Sequence, residues 1–357
     1  MSNTKTKQLR AVVSEYRKRH TKLALLLLGI DLLMYISAVA GVILIENMAL
    51  KILCSLIAGF NISALFIIGH DASHNAFTNS KILNQVIARI VFLPALHNYG
   101  LWLAEHNRIH HQSTNIKGMD SWSPLSKEEY DLLPEWKKTL ERFYRSIPGI
   151  CCYYMVERWW KNKFFPFKSI KGKYNSVNWD FLLVSLYLVS YLSLLTYTGQ
   201  VSSHSSSVVL ILLGFILPFL IWNFMMGVTV YQQHTHESIP WNKSRKDRDK
   251  LGGQEDFTMH VQYPHWYNQV SHNIMAHTAH HVDPGIPLYQ LDKAQAKLSK
   301  FLGNDIKVIR FSFSSFIKTL AICKLYDYDK HNWLDFDGKL TASTINSVER
   351  AELSDAA

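Results

Sequence analysis

The 357-residue chain has only four cysteines, Cys54, Cys151, Cys152 and Cys323, and no two stand at a CxxC spacing. They supply neither a disulfide framework nor a cysteine zinc site; adjacent Cys151 and Cys152 read as packing residues in a reduced compartment. Charge is scarce as well. Only 18% of residues are charged, against roughly 25% in ordinary soluble domains. No small-residue cleavage site follows the basic N-terminal stretch, and the apolar run after it is too long for a signal-peptide core, so the first span is expected to be retained. No internal repeat is visible, and nothing suggests nucleic-acid binding.

Where charge is missing, it is missing in blocks. Residues 23–45 contain one acid, Asp31, and residues 49–69 one base, Lys51. Residues 179–198 and 208–233 form a second pair, separated by the polar stretch GQVSSHSSS. About 20 residues at ~1.5 Å rise cross a ~30 Å hydrocarbon layer. Buried helices of a large soluble protein are the other reading; two hairpins of membrane-length helices fit better. Residues 1–22, 70–177 and 234–357 then share one side and hold every one of the 38 Lys and Arg except Lys51. The positive-inside bias makes that side cytosolic. It also holds 16 of the 17 histidines, His204 being the exception. The net charge of +10 follows from this topology, with attraction to anionic headgroups and docking of an acidic electron donor as further contributions.

The predicted fold is therefore an all-α integral membrane protein: two transmembrane helical hairpins under a cytosolic helical cap that holds a histidine-rich di-metal site. Residues 1–22 are a basic cytosolic arm, and 70–178 and 234–292 form the cap. Residues 84–103 are apolar but carry Arg89, Pro94, His97 and Gly100, which predicts an interfacial helix or re-entrant segment. The aromatic and basic run 143–167 resembles a headgroup-depth girdle. The stretch SRKDRDKLGGQ reads as a solvated loop, 293–339 as a helical soluble segment, and 340–357 as a disordered tail without a periodic apolar face. Both termini and the active site face the cytosol, and the host membrane is a bacterial inner membrane or its equivalent.

Eight histidines stand in three clusters: His70 and His74 in HDASH, His106, His110 and His111 in HNRIHH, His277, His280 and His281 in HTAHH. Neutral imidazole is the commonest protein metal ligand. Eight exceed what one tetrahedral zinc can use and suit two transition-metal ions side by side, without naming the metal. Spacings of four put His70 with His74, His106 with His110, and His277 with His281 on single helix faces. Consecutive histidines point about 100° apart, so one can serve the nearer ion and its neighbour the farther. One more ligand is expected at YQQHTHES, with His234 favoured over His236. His272 is a candidate for supporting a ligand; His97, His260 and His265 are not expected to bind metal.

The order HDxxH, HxxxHH, HxxHH with hairpins between resembles the integral-membrane fatty acid desaturases. The resemblance extends to TN followed by DSWSPLSKEEY, to QHTH, and to HHVDPGIPLYQL, covering about residues 60–292. It is most similar to the acyl-lipid ω6 or Δ12 type. It implies a non-haem di-iron centre on His70, His74, His106, His110, His111, His277, His280 and His281, with His234 as the extra ligand. O₂ is the implied co-substrate and a lipid-linked fatty acyl chain the substrate. With no fused HPGG-type haem domain, a separate ferredoxin or cytochrome-type carrier is the implied donor. The second box has three residues before its histidine pair where close plant relatives have two, which leaves the double-bond position open. Taking hydrogen from an unactivated methylene needs an oxidant no side chain provides. Asp71 and Glu105 are the nearby acids, with the expected task of orienting ligand N–H groups. A membrane hydroxylase or ketolase on fatty acyl, alkane or carotenoid substrates shares such a scaffold and is the alternative. A zinc hydrolase and a metal transporter fit less well.

Overall fold

The computed structural model describes residues 2–165 and 176–344. It is mostly helical, and four helices are long and apolar enough to cross a membrane: Thr21–Leu44, Met48–Ser73, Val177–Val201 and Ser207–His234. The second begins where the Asn47 side chain accepts from Leu50 N at 3.1 Å, and the fourth where Ser206 Oγ accepts from Val209 N at 3.4 Å. Both satisfy a free N–H at the helix start. The second span is mostly buried and the third mostly exposed, so the second forms the axis of the molecule. Gly59 allows the close approach of the fourth span: a Cβ there would lie 2.7 Å from Ile221 Cβ and 2.9 Å from Pro218 O. The fourth span widens into a π-helical turn at Leu212–Ile216, just before Pro218. Proline has no N–H to give and its ring crowds the carbonyl four residues back, which the wider turn accommodates.

The second span runs past its apolar stretch into the first histidine box, since its last residue is Ser73. Residues 84–103 then turn back as the helix Lys81–Val91 and a short helix from Tyr99. Asp180, in the first turn of the third span, holds both parts: Arg89 Nε is 2.7 Å from its Oδ1, and Gly100 N donates to its Oδ2 at 3.0 Å. His97 is buried among Phe66, Phe92, Trp102 and Trp222. The aromatic run continues from the helix Ile147–Tyr153 into a π-helix, Tyr154–Phe164. Trp159 is buried and donates through Nε1 to Leu96 O at 3.0 Å, whereas Trp160 is 48% exposed. One face of the run is therefore core. Residues 166–167 of that run lie outside the described part.

Three expectations give way. The chain is not purely α: His260–Gln262 pairs in parallel with Val308–Arg310, and Leu325–Asp327, Asn332–Leu334 and Leu340–Ser343 form an antiparallel sheet. The segment 293–339 is thus helical only in part. Residues 340–343 are an ordered strand, while 345–357 lie outside the described residues. The sheet earns its order from a small core of Trp241, Cys323, Tyr326 and Trp333, and from a turn in which Asp335 Oδ1 accepts from the backbone of Asp337 and Lys339. SRKDRDKLGGQ is no solvated loop either: Arg245–Leu251 is a helix capped by Ser244, with Arg248 buried. The expected basic arm is helical over Ser2–Val13 and packs on the protein, burying Leu9 and Val13. Lys5 Nζ lies 3.0 Å from Glu255, and Arg10 Nε donates to Val282 O at 2.9 Å.

Gly59→Val is expected to remove about 1–3 kcal/mol of stability through overpacking, lowering the unfolding midpoint in detergent. Gly29→Val, where nothing lies within 4 Å, should leave it unchanged. Thermal denaturation followed by fluorescence-detected gel filtration makes the comparison.

Candidate metal centre

Nine histidines converge in two groups. The first holds His70, His74, His106, His111 and His280; the second holds His110, His234, His277 and His281, and within each group the ligand atoms lie within 4.8 Å of one another. The groups are adjacent, the rings of His111 and His281 having centroids 4.4 Å apart. Neighbouring histidines divide between them: His110 from His111, and His280 from His281.

The backbone of the second box explains the division. Residues Leu103–His110 form a π-helix, in which residues five apart stack. His111 N donates to His106 O at 3.2 Å, and those two histidines share the first group. His106 and His110 keep neighbouring, stacked rings with centroids 5.0 Å apart, as their spacing predicts, but they fall to different groups. The third box is α-helical, His277–Val282, and there His277 and His281, four apart, do share a group.

The donor chemistry fits metal ions. In the first group Nε2 atoms of His70 and His106 are 2.8 Å apart, and those of His106 and His111, and of His111 and His280, 3.2 Å. In the second the pairs are His234–His277 at 2.8 Å and His110–His281 at 3.2 Å. An imidazole nitrogen sits about 2.0–2.1 Å from a transition metal, so two on one ion are roughly 3 Å apart. Tautomers sharpen the point. His110 Nδ1–H donates to Asp120 Oδ1 at 2.7 Å, His234 Nδ1–H to Phe257 O at 3.2 Å, and His281 Nδ1–H to Gln254 Oε1 at 3.2 Å. The Nε2 atoms of these three rings then carry lone pairs, and lone pairs facing one another need a cation between them. Buried His74 Nε2 has no partner at all. Burial, with neighbouring imidazoles adding, pushes His74 down to about 3 and His106, His111, His277, His280 and His281 well below the ordinary histidine range. The rings are held neutral, the form that binds metal.

The groups that orient the ligands differ from those expected. Asp71 accepts from Leu288 N at 3.3 Å, and Glu105 pairs with Arg158 and Lys163; neither orients a histidine. Asp120 and Gln254 do. Burial alone would raise Asp120, but His110 and the N–H of Asn115 hold it below the usual carboxylate range. Gln254 also donates to His111 O and accepts from Thr114, spanning both groups. Asn115 ties the second box to the fourth span by donating to His234 O at 3.0 Å. Asp120 and Asn115 lie in the TN and DSWSP motifs, whose presence was legible and whose task was not. Gln254 carried no signal. The remaining histidines lie elsewhere: His236 contacts Ser238, His260 contacts Met275 O, His272 contacts Asp31, and His265 is exposed.

An open pocket, about 910 Å³ when the solvent at its mouth is included, leads to these rings. Phe60, Ile67, Met225, Met226, Val230 and Ile274 line its apolar part, and His70, His106, His110, His234 and His277 its floor. Glu105, Arg158 and Lys163 line it as well. Burial, with Arg158 adding, pushes the Lys163 amine well down.

Residues 46–312 match the fatty acid desaturase family. The chain belongs to that family. The desaturase is 27% identical over 288 residues to the "sn-1 oleoyl-lipid 12-desaturase" of Picosynechococcus, covering 78% of each chain. It is 25% identical over 280 residues to the "Omega-6 fatty acid desaturase, chloroplastic" of Spinacia oleracea, covering 78% of this chain and 60% of that one. A Synechocystis "sn-1 oleoyl-lipid 12-desaturase" is 24% identical over 291 residues, covering 78% and 76%. The desaturase is thus an oxidoreductase built around apolar helices and clustered histidines.

Asp120→Asn removes the carboxylate that orients His110. Loss of such a support weakens metal binding roughly 10–100-fold. Metal content after dialysis against a chelator should fall accordingly, with the amount of folded protein unchanged.

Proposed function

We propose that this desaturase uses O₂ to introduce a cis double bond into the acyl chain of a membrane lipid. The observation that carries the reading is the apolar cavity running between the second and fourth spans onto two histidine groups. The nine histidines, His70, His74, His106, His111 and His280 on one side and His110, His234, His277 and His281 on the other, would hold two iron ions. Imidazole serves several transition metals; the family resemblance selects iron. Bound there, the irons supply the oxidising power for taking hydrogen from an unactivated methylene. Two hydrogens leave adjacent carbons, and with two electrons and two protons from outside they reduce O₂ to two waters.

The protein's own part is placement. Phe60, Ile67, Met226 and Ile274 bind methylenes and exclude water from the reacting carbons. Asp120, Gln254 and the Phe257 carbonyl keep three imidazoles turned with Nε2 inward. The relatives' names refer to the twelfth carbon or the sixth from the methyl end, which favours that position here. We place the four spans as two hairpins with the histidines, the arm and the C-terminal segment on the cytosolic side, since Lys and Arg concentrate there. The electrons come from a separate carrier, a ferredoxin or a cytochrome-type protein. An acidic one would be drawn to the basic cytosolic face.

A heterologous host expressing the chain should gain a new unsaturated acid at one position, localised by mass spectrometry. His277→Ala and His70→Ala should reduce it to background. An oxygenated acid instead, or full activity in either variant, would overturn the reading.

A further inference from the structure

An ionisable group within a membrane span is costly, and its partner indicates its task. Asp31 is the only acid in the first span and is 7% exposed. Its Oδ2 lies 2.6 Å from Nε2 of His272, itself 5% exposed. His272 sits between the helix His265–Val270 and the third box. It and Asn273 both have left-handed backbone, φ +49° and +57°. That conformation is uncommon away from glycine, and two in succession persist only where the surroundings hold them.

The holding groups come from three elements. Asp31 of the first span takes the His272 ring, Gln233 of the fourth span donates to Ile274 O at 3.0 Å, and Asn273 donates to Leu288 O at 3.3 Å. The residues held in this way matter to the cavity: Ser271 and Ile274 line its wall, and His277 forms part of its floor. Asp31 and His272 are not in the lining. They act through the residues beside them.

We propose that the Asp31–His272 pair is a specificity-determining tether. By fixing the Ser271–Ile274 wall against the first span, it sets which pair of methylenes lies beside the histidines. The inference rests on the desaturase reading and adds a positioning task to a residue pair remote from the ligands. Without the tether the two left-handed residues relax, the wall shifts, and the acyl chain settles in more than one register. The amount of product reports only on folding and metal; its isomer composition reports on the wall.

The test uses the full-length chain in a heterologous host, with double-bond position, membrane protein level and iron content measured together. In Asp31→Asn the amide oxygen still accepts from the ring N–H, and the wild-type isomer should persist. Asp31→Leu and His272→Leu should give a several-fold rise in acids unsaturated at neighbouring positions, at normal iron content. Wild-type isomer composition in both leucine variants, at any yield, overturns the proposal. So does failure of both to accumulate while Asp31→Asn accumulates normally, because the pair is then a folding element. A wild-type chain giving no new unsaturated acid is a separate result and defeats the desaturase reading itself.

Discussion

Everything in this molecule is arranged around imidazole lone pairs that must meet without repelling. Burial favours the neutral ring at His74, His106, His111, His277, His280 and His281, and Nδ1 of His110, His281 and His234 faces Asp120, Gln254 and the Phe257 carbonyl. What remains on the inner side is acceptor only. The site is therefore incomplete as an electrostatic object without positive charge at its centre. The second and fourth spans each end on a ligand or beside one, so membrane helices serve as the rigid mounts, and Gly59 sets their separation at close contact.

Much of this was legible in the sequence, for a physical reason. Hydrophobic runs of membrane length and histidines repeated at three or four residues are local patterns, and local patterns survive without coordinates. The four apolar helices and the grouping of His277 with His281 follow from them. Features set by contact between distant segments were not legible. Gln254 meets His281 across 27 residues and Asp120 meets His110 across 10, and neither interval is a helical period. The strands from Val308 to Ser343 have three or four residues each, too few for alternation to show.

The second box shows where a correct motif leaves the grouping of its ligands open. HNRIHH offers His106 and His110 at an α-helical interval, yet the chain takes a π turn and pairs His106 with His111. Such turns are uncommon and cluster at functional sites. Here the wider turn lets two successive histidines part, one to each group. A sequence period presumes the helix it is counted on.

The N-terminal arm has a consequence for the order in which the molecule is completed. Lys5, Arg10, Glu15 and Arg17 are made more than 200 residues before their partners Glu255, Val282, Lys297 and Asp283. The arm can close only after all four apolar helices have been synthesised, over a third box that is by then in place. Closure of the arm thus presupposes the third box, and it ties the two together through Val282 and Asp283.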